Sequence, residues 1–306
     1  MHHGTRESFD YLECSACGCL QIAQIPGNLD RYYPPEYYAQ VANPDLLRHG
    51  TGTSRLRRSW TTRRLSAGRF ERLFAGRRYG RFEWFTRTAT GVDDAVLDVG
   101  CGSGKLLWRL HREGFRDLTG IDPHLGPTLP TSPSGPTRTM EAGPRFERVA
   151  VEAHRGEYRL VMAHHSFEHV EDPRNAFRAL ARLVASGGWL LLRIPLADSW
   201  ARHHYGADWV QLDAPRHLHL HTRRSIDRLA ADFGFRVAHV VDDSGPFQVW
   251  GSELYRRGVP LVSSRSLRRS VLEGRTRATA RIRTQWLRAV SRGDQACFYL
   301  QREVTP

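Results

Sequence analysis

Apolar and polar positions follow two different rules along the chain, and the change falls near residue 90. Beyond it, short apolar runs alternate with stretches of helical period. "AVLDVG" (95–100) reads as a buried strand ending in glycine, "KLLWRLHREG" (105–114) has helical spacing and a glycine stop, and "LTGID" (118–122) is a second strand. Further on, the pattern predicts a strand over "YRLVMAH" (158–164), a helix from Asp172 to Val184 and a strand over "GWLLLRIP" (188–195). It then predicts a helix over "RRSIDRLAADFG" (223–234), a strand over "RVAHVVD" (236–242), a basic helical stretch over 251–292 and a closing edge strand, "ACFYLQRE" (296–303). Strands alternating with helices imply an α/β fold with a mainly parallel sheet covered on both faces. The Pro, Gly, Ser and Thr of "GPTLPTSPSGPTRTMEAGP" (126–144) predict an irregular loop.

Ahead of that region, residues 1–47 read as a loop-rich segment with "CSACGC" and the aromatic run "RYYPPEYY". Residues 48–90 read as a basic helical segment in which Leu56, Trp60, Phe70, Leu73 and Phe74 recur at helical spacing. The remainder, 91–306, forms the main domain, with 251–292 a basic helical insertion before the last strand. A chain of 306 residues, 40% hydrophobic, can bury a full core. Its longest strongly apolar runs, such as "WLLL" (189–192), are too short to span a membrane, and "MHHGTRESFD" lacks a signal-peptide core, so a cytoplasmic protein is expected. Cys14, Cys17, Cys19, Cys101 and Cys297 are odd in number and expected to be reduced.

Charge complicates this picture. The net charge of +13 is concentrated at 48–87 (+10) and 265–292 (+8), which leaves the rest of the chain at −5. Lys105 is the single lysine, a bias that a GC-rich genome produces by itself. The arginine blocks are either solvated helical faces or docking sites for an anionic partner such as a membrane surface, a phosphate-bearing substrate or RNA. No DNA- or RNA-binding motif accompanies them.

Candidate chemistry begins at "VLDVGCGSGK". Gly100, Gly102 and Gly104 lie where a strand turns into a helix, so the backbone there can approach a ligand closely. Asp98 precedes them, and Asp122 ends the next strand, where a carboxylate can accept ribose hydroxyls. The Gly-x-Gly-x-Gly spacing departs from that of pyrophosphate-binding dehydrogenases. From about residue 90 onward the chain resembles the class I S-adenosylmethionine-dependent methyltransferases, through "VLDVGCGSG", "IDP" (121–123) and "LVMAHHSFEHVEDP" (160–173). The resemblance implies a Rossmann-like, seven-stranded, mostly parallel sheet with an antiparallel last strand, helices on both faces and S-adenosylmethionine as cofactor. It implies that Asp98, Gly100, Cys101, Gly102 and Gly104 line the methionine and ribose portions, that Asp122 holds the ribose and that Pro123 borders the adenine. His164 and His165 would flank the sulfonium, with Glu152 in the adenine pocket, since the Pro-rich loop replaces a regular helix there. Cys101 also reads as a small packing residue, and Glu168 as either catalytic or a helix-start carboxylate beside His169.

"LDAPRHLHLHT" (212–222) sets His217, His219 and His221 at alternate positions. They are either one face of a short strand or part of the chemistry. This stretch lies over the mouth of the sheet and resembles the "PRH" element of bacterial sugar and natural-product methyltransferases. On that basis His217 is expected as general base, with Arg216 and Asp213 orienting it or gripping substrate. Trp209 and Tyr205 are expected to wall the acceptor site, and Trp200 to pack. "ECSACGCLQIAQIPGNLDRYYPPEYY" resembles the Cys-x-x-Cys-Gly knuckle of sugar-modifying methyltransferases, which implies zinc on Cys14 and Cys17. Cys19, His2 and His3 are the further partners, because the second Cys-x-x-Cys pair is missing. Taken together, the resemblance implies a bacterial methyltransferase acting on a small molecule such as a sugar, a nucleotide-linked sugar or a secondary metabolite. Two rivals are a non-catalytic binding or assembly protein on the same scaffold, and a methyltransferase acting on RNA or protein.

Overall fold

The computed structural model describes residues 7–33, 61–62, 65, 82–125, 143–261 and 274–304. In chain order its elements are β1 (Tyr11–Glu13), β2 (Leu20–Ile22), α1 (Phe82–Arg87), β3 (Val96–Val99), α2 (Lys105–Arg112), β4 (Leu118–Ile121), β5 (Arg145–Glu147), β6 (Tyr158–His164), α3 (Pro173–Leu183), β7 (Val184–Pro195), α4 (Trp200–Tyr205), β8 (His219–Leu220), α5 (Arg223–Asp232), β9 (Phe235–Asp242), α6 (Phe247–Arg256), α7 (Gly274–Ala289) and β10 (Gln295–Arg302). Seven strands form the main sheet in the order β5-β4-β3-β6-β7-β10-β9. The first five are parallel neighbours, and β10 runs antiparallel to both β7 and β9. This is the Rossmann-like arrangement that the resemblance implied.

Two features differ from the sequence reading. The strand at 296–303 is no edge strand: β10 is inserted between β7 and β9, and six of its eight residues, from Gln295 to Leu300, are buried. A continuous apolar run marks a strand covered on both faces, and an edge position would have called for polar relief. The seventh strand, β5, is only three residues long and follows the Pro-rich loop, too short for its period to register. Residues 126–142 of that loop, and most of the basic segment 48–90, lie outside the described residues.

Alternation along β7 builds the core. Leu190, Leu192 and Ile194 join Phe177 and Leu180 of α3 and Ile226 and Leu229 of α5 on one face. Trp189 and Leu191 join Phe85 of α1 and Leu107 of α2 on the other. Each such side chain contributes about 1.5–3 kcal/mol over remaining exposed. The helices start where their caps dictate: Asp172 accepts from the backbone N–H groups of Arg174 and Asn175 (both 3.0 Å), and Thr222 and Ser225 form a capping box.

The N-terminal segment is less loop-like than its composition indicates. β1 and β2 form a hairpin whose second strand pairs with β8, the "HL" at the centre of "LDAPRHLHLHT". The knuckle hairpin therefore lies directly beside that stretch, and Leu20 and Leu220 pack with Ala201, Tyr205 and Trp209 beneath it.

Candidate active site

The chain leaves β3 for β4 and β5 on one side, then returns to place β6 on the other, so a crevice opens between the carboxyl ends of β3 and β6. The glycine turn fills its floor. Gly100, Gly102 and Gly104 all have positive φ (74°, 52° and 66°). Asp122, at the end of β4, accepts from the Gly102 N–H (2.9 Å) through one carboxylate oxygen and from the His124 N–H (2.8 Å) through the other, which leaves further lone pairs on both. Asp98 lies buried beneath; burial and the charge of Asp122 raise its carboxyl to about 7. A glycine-rich turn beside an anchored carboxylate fits the ribose and methionine portions of S-adenosylmethionine. Gly100 tolerates no substitute, because a Cβ there would meet the Ser166 Cβ at 2.4 Å. Gly100→Ala is expected to abolish cofactor binding by calorimetry and to lower the melting temperature, strain of this kind costing about 1–3 kcal/mol.

Opposite the turn, the segment after β6 carries a buried carboxylate ringed by imidazoles. Arg193 of β7 can only donate, so the 2.9 Å contact of its guanidinium with His165 Nε2 makes that nitrogen an acceptor and places the proton on Nδ1. His165 Nδ1–H then donates to Glu168 Oε1 at 3.3 Å. The other imidazoles are oriented by carbonyls. His217 Nδ1–H donates to the Gln211 C=O (2.7 Å) and His169 Nδ1–H to the Arg216 C=O (2.9 Å), so each Nε2 keeps a lone pair. His217 Nε2 lies 4.0 Å from Glu168 Oε1 and 3.8 Å from Asp213 Oδ2. Burial, and then His169, lower the His217 ring to about 4 against the opposing pull of Asp213 and Glu168, so it is neutral at pH 7 with its lone pair available. Burial pushes Glu168 up, but the His165 hydrogen bond and the electrostatic pull of the His165, His169 and His217 rings outweigh it and hold the carboxyl at about 2. Glu168 Oε2 is buried and has no hydrogen-bond partner among the described residues. One carboxylate and two imidazoles whose ligand atoms lie within 4.8 Å of one another, Glu168, His169 and His217, also make a group that could hold a metal ion.

Several expected site residues have other duties. Trp209 is fully buried and donates its indole N–H to Asp294 (3.1 Å), and Tyr205 donates to Glu253 (3.1 Å); both support the small sheet and do not wall an acceptor. Trp200 stacks on His204, in keeping with packing. Arg216, itself buried, grips both Asp213 oxygens through one guanidinium nitrogen at 2.6 Å and so orients that carboxylate. Cys101 turns its sulfur inward against Gly120, which leaves only its backbone to line the turn, and burial raises its thiol well above the usual range. His164 packs its ring on Trp84 of α1 (4.4 Å), and burial lowers it to about 3. His219 donates to the Val170 C=O (3.1 Å) and His221 stacks on Phe167, so of the three alternating histidines only His217 meets the carboxylates. Pro123 follows Asp122 at the rim, while Glu152 is exposed with its carbonyl taken by Arg155 (2.9 Å). Cys14 and Cys17 shape the hairpin turn, where the Cys14 carbonyl accepts from Cys17 (3.3 Å) and Gly18 (2.7 Å). The cysteines form no group of three metal-capable side chains among the described residues; His2 and His3 lie outside them.

The structure also adds residues the sequence reading did not place in the site. Tyr33 stacks on His124, and its hydroxyl oxygen lies 3.2 Å from His169 Nδ1; the Tyr11 hydroxyl donates to the His217 carbonyl (2.8 Å). Arg193 is paired through its Nε with Asp243, whose other oxygen accepts from Gln295 (2.7 Å). A charged residue at the end of the apolar run "LLLRIP" was the available signal. Arg193→Met is expected to free the His165 tautomer, cut turnover about tenfold with cofactor affinity unchanged and cost about 1–2 kcal/mol, while Arg193→Lys recovers part of both. Steady-state kinetics and thermal denaturation check this.

A family model described as a methyltransferase domain matches residues 63–240, more than half of the chain. Among curated proteins, the ubiquinone biosynthesis O-methyltransferase of Erwinia tasmaniensis is 32% identical over 148 residues, covering 45% of this chain and 59% of that protein. The protein of the same name from Sodalis glossinidius is 38% identical over 134 residues, covering 40% of this chain and 51% of that protein. The chain thus spans little more than half the length of the curated relatives it matches. Among solved structures, the magnesium protoporphyrin IX methyltransferase of Synechocystis aligns over 90% of this chain and 99% of that one at 13% identity, with a TM-score of 0.47. The geranyl diphosphate C-methyltransferase of Streptomyces coelicolor aligns over 69% and 70% at 16% identity, with a TM-score of 0.43.

Proposed function

The chain belongs to the family of methyltransferase domains, and from that premise we propose that it transfers the methyl group of S-adenosylmethionine to a hydroxyl oxygen of a small molecule. The observation that carries this reading is the juxtaposition, across one crevice, of a glycine-rich turn anchored by Asp122 and a buried, ionised Glu168 with an oxygen to spare. The names of the curated relatives favour oxygen as the acceptor atom. Sugars, nucleotide-linked sugars and secondary metabolites are the acceptor classes this reading holds to, in a cytoplasmic bacterial setting. No described helix is long and apolar enough to cross a membrane.

When bound, S-adenosylmethionine supplies a methyl carbon already activated by its sulfonium, so the protein has mainly to align the acceptor and remove one proton. Asp122 and the glycine turn would hold the nucleoside. Glu168 Oε2 anchors the acceptor by accepting one of its hydroxyl donors. His217 Nε2 would take the proton that the acceptor oxygen gives up in the transfer. The imidazolium so formed is flanked by Glu168 and Asp213 at 4.0 and 3.8 Å, and Arg216 keeps Asp213 in place. The division into an N-terminal knuckle (1–47), a basic segment (48–90) and a catalytic domain (91–306) belongs to the same reading.

The test is to incubate the protein with methyl-labelled cofactor and a fractionated extract of its host, with and without a chelator. A small molecule that gains one CH₂ in mass supports the reading. Label confined to RNA or protein moves the acceptor class, and tight cofactor binding with no labelled product favours an assembly role. Activity lost to the chelator and restored by a divalent ion assigns Glu168, His169 and His217 to metal.

A further inference from the structure

α6 carries a buried polar stripe. Gln248, Ser252 and Tyr255 stand four and then three residues apart on one face of the helix and are 1%, 0% and 4% exposed. Ser252 fixes where that face lies. Its hydroxyl donates to the Gln248 C=O (2.7 Å) and accepts from the Val210 N–H (3.0 Å), and a Cβ at Gly251 would meet the Val210 side chain at 2.9 Å, so the helix lies tight against the turn Val210–Leu212. That turn supplies the Gln211 carbonyl that orients His217 and leads directly into Asp213. Tyr255 packs with Val210 in the same small cluster, which sets its ring beside the candidate site. The charge of Asp213 reaches three buried tyrosines, Tyr11, Tyr33 and Tyr255. Two of them have partners in the site: the Tyr11 hydroxyl donates to the His217 C=O (2.8 Å), and the Tyr33 hydroxyl oxygen lies 3.2 Å from His169 Nδ1. The Tyr255 hydroxyl is buried and has no hydrogen-bond partner among the described residues. Burial first and Asp213 second raise it above the usual phenol range, so it remains a protonated donor at neutral pH. A buried O–H without an acceptor is destabilising, and a ligand oxygen placed there relieves it.

On the footing of the methyl-transfer reading, we propose that the Tyr255 hydroxyl binds the methyl acceptor by donating to an oxygen other than the one methylated, and that the acceptor is accordingly a polyhydroxylated molecule. The two orphaned groups ask for complementary things. Glu168 Oε2 offers only lone pairs and takes a hydroxyl donor, whereas the Tyr255 O–H offers a proton and takes a lone pair. A second hydroxyl satisfies both at once, and two further hydroxyls satisfy them separately. Either way the acceptor carries at least one hydroxyl besides the one whose proton goes to His217. An acceptor with a single hydroxyl on a hydrocarbon frame would leave the phenol unpaired. One with an ammonium group there would set a second donor against the phenol proton.

Tyr255→Phe tests it, assayed with methyl-labelled S-adenosylmethionine on the host-extract fraction that the wild type labels. Rates over a dilution series of that fraction should give an apparent KM raised about tenfold, the worth of one hydrogen bond between neutral groups, with saturating turnover within about twofold and cofactor affinity by calorimetry unchanged. Phenylalanine keeps the ring and removes only the orphaned hydroxyl, so the melting temperature should hold or rise. Equal apparent KM in the two proteins overturns the proposal. So does a lower melting temperature in the variant, which would give the hydroxyl a partner within the fold. A labelled product that carries no hydroxyl besides the methylated oxygen, read by fragmentation in the mass spectrometer, overturns the acceptor class. A wild type that labels no small molecule defeats the methyl-transfer reading and this inference with it, so the wild-type reaction tells the two failures apart.

Discussion

Exchanging Glu168 for glutamine is expected to lower turnover about 10²–10⁴-fold while cofactor affinity stays within about twofold. The substitution keeps shape and burial and removes only the charge, so the loss is one of chemistry. With a neutral amide at 168, the His165 Nδ1–H meets a weaker acceptor, and the imidazolium that forms at His217 loses the one of its two flanking carboxylates that is not paired with an arginine. Glutamine can also present an N–H₂ where Glu168 offers a lone pair, so the acceptor hydroxyl can no longer donate its proton there. Stability gives an independent reading. The Glu168 carboxyl is lowered in the folded protein from 4.5 to about 2, so its contribution is present above pH 4.5 and is lost as pH falls toward 2. The wild type should therefore lose melting temperature across that acid window, and Glu168→Gln should show a flatter dependence there. Equal turnover in the two proteins would remove Glu168 from the reaction.

How much of this site the sequence disclosed depends on how local each piece is. The glycine turn and Asp122 are legible because strand, turn and acid lie within one βαβ unit, where periodicity and spacing report on the same few turns of chain. His217 and Glu168 are legible as types of residue but not as a pair, for they are 49 positions apart and meet only because Leu218 donates to the Glu168 carbonyl (2.9 Å) and fixes the two loops side by side. Arg193 and Asp243 escaped notice because a single charge at the end of an apolar strand reads as a strand terminus, and its partner is 50 residues away. Trp209 and Tyr205 misled for the opposite reason. An aromatic with a polar handle suits a binding wall and a satisfied core equally well, and only the acceptors Asp294 and Glu253 decide between them. β10 shows the same limit at the scale of the fold: its apolar run identifies a strand, but its place between β7 and β9 is a matter of topology.

Asp122→Ala should weaken cofactor binding about 100-fold or more, the equivalent of losing two charge-assisted hydrogen bonds at about 1.5 kcal/mol each. Part of that loss arises without any ligand. Asp122 ties the Gly102 and His124 N–H groups to the end of β4, so alanine loosens the turn that must receive the nucleoside. Asp122→Asn keeps one acceptor oxygen and should lose less. A pH dependence separates this account from simple misfolding. The Asp98 carboxyl is raised in the folded protein from 3.8 to about 7, by burial first and by the Asp122 charge second. Protonation of Asp98 therefore favours the fold, and the stability it confers, complete below 3.8, is lost as pH rises toward 7. Removing the Asp122 charge leaves burial alone to hold Asp98 up, which narrows that window. Asp122→Ala should thus lose less melting temperature than the wild type between pH 4 and pH 7, even as calorimetry shows its cofactor affinity gone. A variant that had merely lost its fold would show neither a cooperative transition nor this flattening. One that kept the wild-type slope would mean that the two carboxylates do not share the crevice as described.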